Sequence, residues 1–262
     1  MEKYLAIAKI LAYVRRNRAP LTILPADAVP HDEADGYRVQ DALHNLLSPD
    51  FGLQVGYKIG CTSAVMQQYL GISHPCAGGL YMGGVHATGT SLRYNDYVHV
   101  GVECEIAVQL ASDLMPSGEP FTADDVATAI EAYHPAIEIV DDRYADWRSM
   151  DAPTLIADDF FAAGCVLGAP VARGNAPDLL SVIGRAIVNG TEVGRGNGAD
   201  VLGHPHHALA WLANHLAARD KILRAGDFVL TGSLVQTAWL NVGDHVRMEL
   251  LGLGSVEVDF KS

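Results

Sequence analysis

The sequence predicts an α+β fold with a mostly β core. Apolar residues recur at helical spacing in the first quarter of the chain, and short β-branched runs bounded by glycine and proline dominate the rest. No internal repeat or low-complexity tract interrupts that order. The 262 residues are read as a single domain, with a helical N-terminal part over about 1–75 and a β-rich core over about 76–262.

The first helix is expected over residues 2–16, where Leu5, Ala8, Ile10, Leu11 and Val14 form an apolar stripe. Pro20, Pro25 and Pro30 then mark a loop. A second helix runs from about Glu33 to Leu47. Leu53 to Ser63 reads as a strand ending in a turn, with Ser63 capping a short helix through Leu70. Gly71 to Gly89 reads as a glycine-rich loop with one short strand at Leu80–Met82, the kind of segment that often forms a lid. A strand over 97–110 and a turn at Asp113–Gly118 follow. Thr122 to Asp125 resembles a capping box and opens a helix through about Ala132.

Strands are then expected from Pro135 to Asp141 or Asp142 and over 162–168. Asn189-Gly190 marks a tight hairpin turn within 183–194. Gly194 to Gly198 reads as a loop without the spacing of a dinucleotide site. His204 to His207 opens a helix through about Ala218, with Pro205 in its first turn. His206 and His207 are neighbours on that helix and face different ways, which disfavours a metal role. The C-terminal part is β, with strands near 227–233, 238–240, 245–250 and 255–260.

The composition, 49% hydrophobic and 19% charged, supports a sizeable core. A formal net charge of −13 without any basic run argues against nucleic acid and against an anionic membrane surface. Cys61, Cys76, Cys104 and Cys165 form no CxxC pair and read as reduced, buried thiols. The N-terminus lacks the uninterrupted apolar stretch of a signal peptide, and no run approaches the roughly 20 residues of a membrane span. A cytoplasmic protein is expected.

The chemistry concentrates in Gly101-Val102-Glu103-Cys104-Glu105-Ile106. Glu103 and Glu105 are two apart on an apolar strand and so share one face. Burying two like charges costs several kcal/mol unless a cation compensates. Downstream, Glu138 interrupts a second apolar strand. These three carboxylates predict a site for a hard divalent metal. Lys58, between glycines and apolar residues, reads either as a snorkelling lysine at a strand edge or as a group facing a ligand. Arg143 is expected to pair with a neighbouring acid.

Five blocks in order carry a resemblance: Gly56–Ser63, Glu103-Cys104-Glu105, Pro135–Asp141, Val201–Pro205 with Ala208–Asn214, and Gly226–Ser233. Together they resemble the 2-hydroxypentadienoate (2-keto-4-pentenoate) hydratase and 4-oxalocrotonate decarboxylase family, within the fumarylacetoacetate hydrolase superfamily. The likeness runs from about residue 50 to the C-terminus. It implies a mixed, mostly antiparallel β-roll core behind N-terminal helices, and a homo-oligomer. It also implies Mg²⁺ or Mn²⁺ on Glu103, Glu105 and Glu138, a catalytic Lys58, and substrate contacts at Ser63, Leu80 and Ser233.

The implied reaction is hydration of a 2-hydroxy-2,4-dienoate, through its 2-oxo-3-enoate tautomer, to a 4-hydroxy-2-oxo acid in aromatic catabolism. The alternatives are decarboxylation of 4-oxalocrotonate, C–C hydrolysis, or a non-catalytic subunit complexed with a pathway partner enzyme. Two departures stand out. Relatives often carry an acid and an aromatic where this chain has Cys76 and Ala77, and small hydroxylated residues where it has Asp159-Phe160-Phe161.

Overall fold

The computed structural model describes residues 2–21, 24 and 29–262; Pro25 of the expected proline-marked loop lies outside the described residues. The chain opens with α1 (Glu2–Asn17), α2 (Glu33–Phe51), β1 (Gln54–Gly60) and α3 (Ala64–Leu70). It continues through β2 (Cys76–Tyr81), β3 (Val85–Ala87), β4 (Thr90–Arg93), β5 (Val100–Leu110), α4 (Ala123–Thr128) and β6 (Ile130–Asp141). Next come α5 (Ala152–Ala157), β7 (Ala162–Leu167), β8 (Val171–Ala172), β9 (Ile183–Val188) and β10 (Thr191–Asn197). The last elements are α6 (Pro205–Ala217), β11 (Phe228–Ser233), β12 (Ala238–Trp239), β13 (His245–Leu250) and β14 (Gly254–Lys261).

The main sheet runs β2-β1-β11-β5-β6-β7-β3, with β12 beside β5 and β8 beside β6. A second sheet runs β10-β9-β13-β14-β4. Both are mixed: β1 with β11, β3 with β7 and β14 with β4 are parallel, while the remaining described pairs are antiparallel. The expected boundary near residue 75 does not follow the main sheet, because β1 is inserted between β2 and β11.

Alternation along β5 and β6 gives the sheet two buried faces. Val102, Cys104, Ile106 and Val108 of β5 join Ile137 and Ile139 of β6 in the large core, which also holds Ala186, Val246, Met248, Val256 and Val258 of the second sheet. The opposite face of β5 and β6 carries Ala107 and Ala136, which pack with Leu80, Cys165 and Leu230 in a small apolar cluster. Glu103, Glu105 and Glu138 belong to that same face by register.

Several expectations change. The glycine-rich stretch expected as a loop contains a fully buried strand, β2. Its glycines allow close packing: a Cβ built at Gly78 would lie 2.6 Å from the Asp159 carbonyl oxygen. The helix expected to reach Ala132 stops at Thr128, although its Thr122–Asp125 capping box forms. β6 begins at Ile130 because Ile130 to Tyr133 continue the ladder with β5 and with β8. Residues 194–197, expected as a loop, complete β10 after the Asn189-Gly190 turn, where both residues have positive φ (50° and 79°). Sequence reading missed α5, although Asp151 caps it and Pro153 sits in its first turn.

Candidate metal centre and its lysine

Glu103 of β5 stands opposite Glu138 of β6 in the antiparallel ladder, and Glu105 stands opposite Ala136. Each of the three glutamates offers an oxygen, and these oxygens lie within 4.8 Å of one another. Glu105 and Glu138 are fully buried, and Glu103 is partly buried. Lys58 of β1, 3% exposed, places Nζ 2.9 Å from Glu138 Oε1.

The environment holds two of the carboxylates from behind. The Gly232 N–H donates to Glu105 Oε2 at 2.8 Å, and the Thr237 hydroxyl donates to Glu103 Oε1. Glu105 Oε1 and both Glu138 oxygens are buried without a hydrogen-bond partner; the Lys58 contact is an ion pair without hydrogen-bond geometry. One ammonium faces three carboxylates, so the cluster lacks cationic charge. Oxygens that are buried, mutually close and unpartnered fit a hard divalent cation, and an all-oxygen donor set favours such an ion over zinc.

The titration directions follow from this crowding. Burial and the facing Glu138 push Glu103 up to about 7, against the opposing pull of Lys58 and the Thr237 hydroxyl. Burial, then Glu138 and Glu103, hold Glu105 well above the usual carboxylate range. Burial alone would lower Lys58, but Glu138 and Glu103 outweigh it and raise its pKa above the ordinary value. Lys58 is therefore an ammonium at neutral pH in the metal-free fold.

The other expected site residues are placed differently. Ser63 is exposed at the N-cap of α3, where its hydroxyl accepts from the Met66 N–H at 3.4 Å. It is not among the groups at the carboxylate cluster. The buried neighbour is Thr62, which packs directly on Gly232. Ser233 is in register with Glu105, but its hydroxyl donates to the Val235 carbonyl at 2.7 Å. Leu80 lies in the small apolar cluster with Ala107 and Ala136. Thr237 went unnoticed in the sequence; it stands four residues past Ser233, with no motif to mark it.

The thiol at the departure position is no substitute acid or base. Cys76 is fully buried on β2, and contact with Cys61 together with burial pushes its pKa far up. At the second departure, Asp159, Phe160 and Phe161 all have positive φ, 53°, 50° and 68°. Such conformations cost non-glycine residues on the order of 1–3 kcal/mol each. Side chains from the N-terminal helices secure them. Asp159 Oδ1 accepts from the Gly79 N–H at 2.9 Å and lies 2.6 Å from His44 Nε2 of α2. Its Oδ2 lies 3.1 Å from Arg15 of α1. Burial alone would raise the Asp159 pKa, but His44 and Arg15 bring it below the usual range. Arg15 and Arg143 both pair with Asp158 as well, at 2.8 and 2.9 Å, which gives Arg143 the acidic partner expected for it.

Comparison with known proteins places this geometry in context. Residues 74–261 match the family described as fumarylacetoacetate (FAA) hydrolase C-terminal. A 2-keto-4-pentenoate hydratase of Burkholderia vietnamiensis is 34% identical over 258 residues, covering 97% of each chain. A 4-oxalocrotonate decarboxylase of Pseudomonas putida is 30% identical over 227 residues, covering 87% of this chain and 85% of its own. Among solved structures, 4-oxalocrotonate decarboxylase from Pseudomonas putida G7, complexed with magnesium and adipate, superposes with a TM-score of 0.92 at 29% identity. That alignment covers 99% of this chain and 97% of the other. On the family match, the near full-length sequence likeness and the shared fold, this chain belongs to the fumarylacetoacetate hydrolase family.

Proposed function

We propose that the protein is a lyase of 2-oxo and 2-hydroxydienoic acids, and that it hydrates a 2-hydroxy-2,4-dienoate to a 4-hydroxy-2-oxo acid. The observation that carries this reading is the convergence of Glu103, Glu105, Glu138 and the Lys58 ammonium inside the sheet. The resemblance to hydratases over nearly the whole chain supports the same reaction.

Glu103, Glu105 and Glu138 would hold Mg²⁺ or Mn²⁺, which supplies Lewis-acid polarisation of the substrate's C2 oxygen and charge balance for its carboxylate. Lys58 donates a hydrogen bond to the developing enolate oxygen and shares its proton as charge builds there. The substrate first ketonises, losing its enol proton and gaining one at C5. Water then adds across C3 and C4, with hydroxide to C4 and a proton to C3. Leu80, Ala107, Ala136, Cys165 and Leu230 pack as a buried apolar cluster on the same face and keep that side of the site dry. Thr237 and the Gly232 N–H keep Glu103 and Glu105 aimed at the centre.

Decarboxylation of a 2-oxo-3-hexenedioate is the second reading. It is favoured by the 0.92 TM-score to a decarboxylase and by the neutral thiol of Cys76 where an acid is common. The Mg²⁺-loaded protein, incubated with 2-hydroxypenta-2,4-dienoate and with 2-oxo-3-hexenedioate, separates the two. A product heavier by one water supports hydration, and one lighter by CO₂ supports decarboxylation. No product from either acid overturns both. Homo-oligomeric assembly is part of the proposal, supported by the exposed Leu53 and Met82, whose backbones are hydrogen-bonded to each other. Light scattering on a sizing column tests it.

A further inference from the structure

Lys58 lies close to both a carboxylate and an aromatic ring. Its Nζ lies 2.9 Å from Glu138 Oε1 and 5.8 Å from the centre of the Phe160 ring. The ring also covers Gly60: a Cβ built there would lie 3.3 Å from Phe160 Cδ1 and 3.5 Å from Lys58 Nζ. Gly78, which pairs with Lys58 across β1 and β2, receives the Asp159 carbonyl in the same way. Two glycines on the lysine's face of the sheet thus let the Asp159–Phe161 turn pack closely against it.

The ring is held in place. Phe160 is 5% exposed, and its left-handed backbone is locked by the Asp159 contacts to Arg15, His44 and Gly79. Phe161 packs edge-on against it at 5.7 Å and against Tyr144 and Trp147 behind it. Arg15 and Arg143, which flank this turn, are both paired with Asp158.

We infer that Phe160 is a specificity-determining wall that selects acids with an uncharged tail and rejects a second, distal carboxylate. The inference rests on the proposed 2-oxo acid chemistry. With Glu138 Oε1 already 2.9 Å from the ammonium, an acid that reaches Lys58 has the Phe160 ring, 5.8 Å from Nζ, as a near neighbour. A vinyl or alkyl tail gains apolar contact there. A carboxylate at the same place is desolvated against a phenyl ring, and the nearby Arg15 and Arg143 are already paired with Asp158.

The test compares 2-oxopentanoate with 2-oxoadipate by calorimetric titration of the Mg²⁺-loaded protein, alongside turnover of the two dienoates. The wild type is expected to bind the monocarboxylate at least about tenfold more tightly, the least that an unpaired buried charge costs. Phe160→Asn and Phe160→Gly both accept the left-handed backbone, and circular dichroism selects the folded variant for the titration. Each is expected to reduce the preference to below about threefold, the wall being gone. Equal binding of both acids by the wild type, or an unchanged ratio in the variants, overturns the inference, as does binding of neither acid. Turnover of neither dienoate with the ratio intact overturns the reaction instead and leaves the wall standing.

Discussion

Glu103 and Glu138 face each other across the β5–β6 ladder, and Glu138 also faces the Lys58 ammonium at 2.9 Å. A directly opposed pair of like charges destabilises a sheet. In this protein the repulsion is focused where a cation would relieve it.

Glu105→Gln removes one ionisable carboxyl and keeps the shape of the side chain. Its divalent-ion affinity should fall by more than about 100-fold, exceeding the ~10–100-fold cost of changes around a ligand shell. Without metal, the variant should melt at a higher temperature than the wild type, since Glu105 is crowded by Glu138 and Glu103. Melting curves with and without Mg²⁺ check both: the metal-induced rise should vanish in the variant. Retained metal-dependent activity would refute the metal centre.

Glu103 gives a pH dependence of definite sign. Its carboxyl is raised from 4.5 to about 7 in the metal-free fold, so between these values the folded chain binds more protons than the unfolded one. Metal-free stability from this group is therefore full below about pH 4.5 and declines as pH rises to about 7. Divalent-ion affinity runs the other way and weakens as pH falls below about 7. Glu103→Gln should flatten the first slope, seen as the difference between wild-type and variant melting temperatures from pH 5 to 8.

Thr237→Val deletes the hydroxyl that holds Glu103 Oε1. Metal affinity should drop roughly 10–100-fold, with Thr237→Ser restoring most of it. Isothermal titration with Mn²⁺ measures this directly. Equal affinity in the valine variant would show that Glu103 needs no such support.

Arg15→Met leaves Asp158 and Asp159 buried with part of their countercharge gone. Breaking a buried pair from one side costs about 3–5 kcal/mol. Urea unfolding should report a loss of that size, and a loss under about 1 kcal/mol would mean the network is solvated.

Acid should weaken the fold through His206 and His215. Burial and the neighbouring His204 lower His206 to about 4, and burial with Arg219 lowers His215 to about 4. Below 6.5 the unfolded chain takes up protons that the fold refuses, so their contribution is complete above 6.5 and lost as pH falls towards 4. The double variant His206→Gln, His215→Gln should lose at least about 3 °C less in melting temperature between pH 7 and 4.5 than the wild type.

The carboxylates were legible because strand periodicity is local. Glu103 and Glu105 share a face by spacing alone, and an acid in so apolar a run signals a demand for cationic charge. The longer helices and the Asn189-Gly190 turn were readable for the same reason: caps, stripes and positive-φ residues act within a few positions. β2 was misread because two glycines signal a turn locally, and only the Asp159 carbonyl and the His44 ring explain their absent side chains. The substrate contacts expected at Ser63 and Ser233 rested on position in a motif. The structure shows each hydroxyl bonded within its own turn.

The sequence by itself determined which residues bear charge in apolar strands, where most elements begin, and the family to which the chain belongs. Tertiary structure alone decided that Lys58 faces Glu138, that Thr237 supports Glu103, and that Arg15 and His44 hold the turn bringing Phe160 to the lysine. The reason is sequence distance. Arg15 meets Asp159 across 144 positions, and Thr237 meets Glu103 across 134. Contacts of that separation follow from how the sheet closes, which no local pattern records.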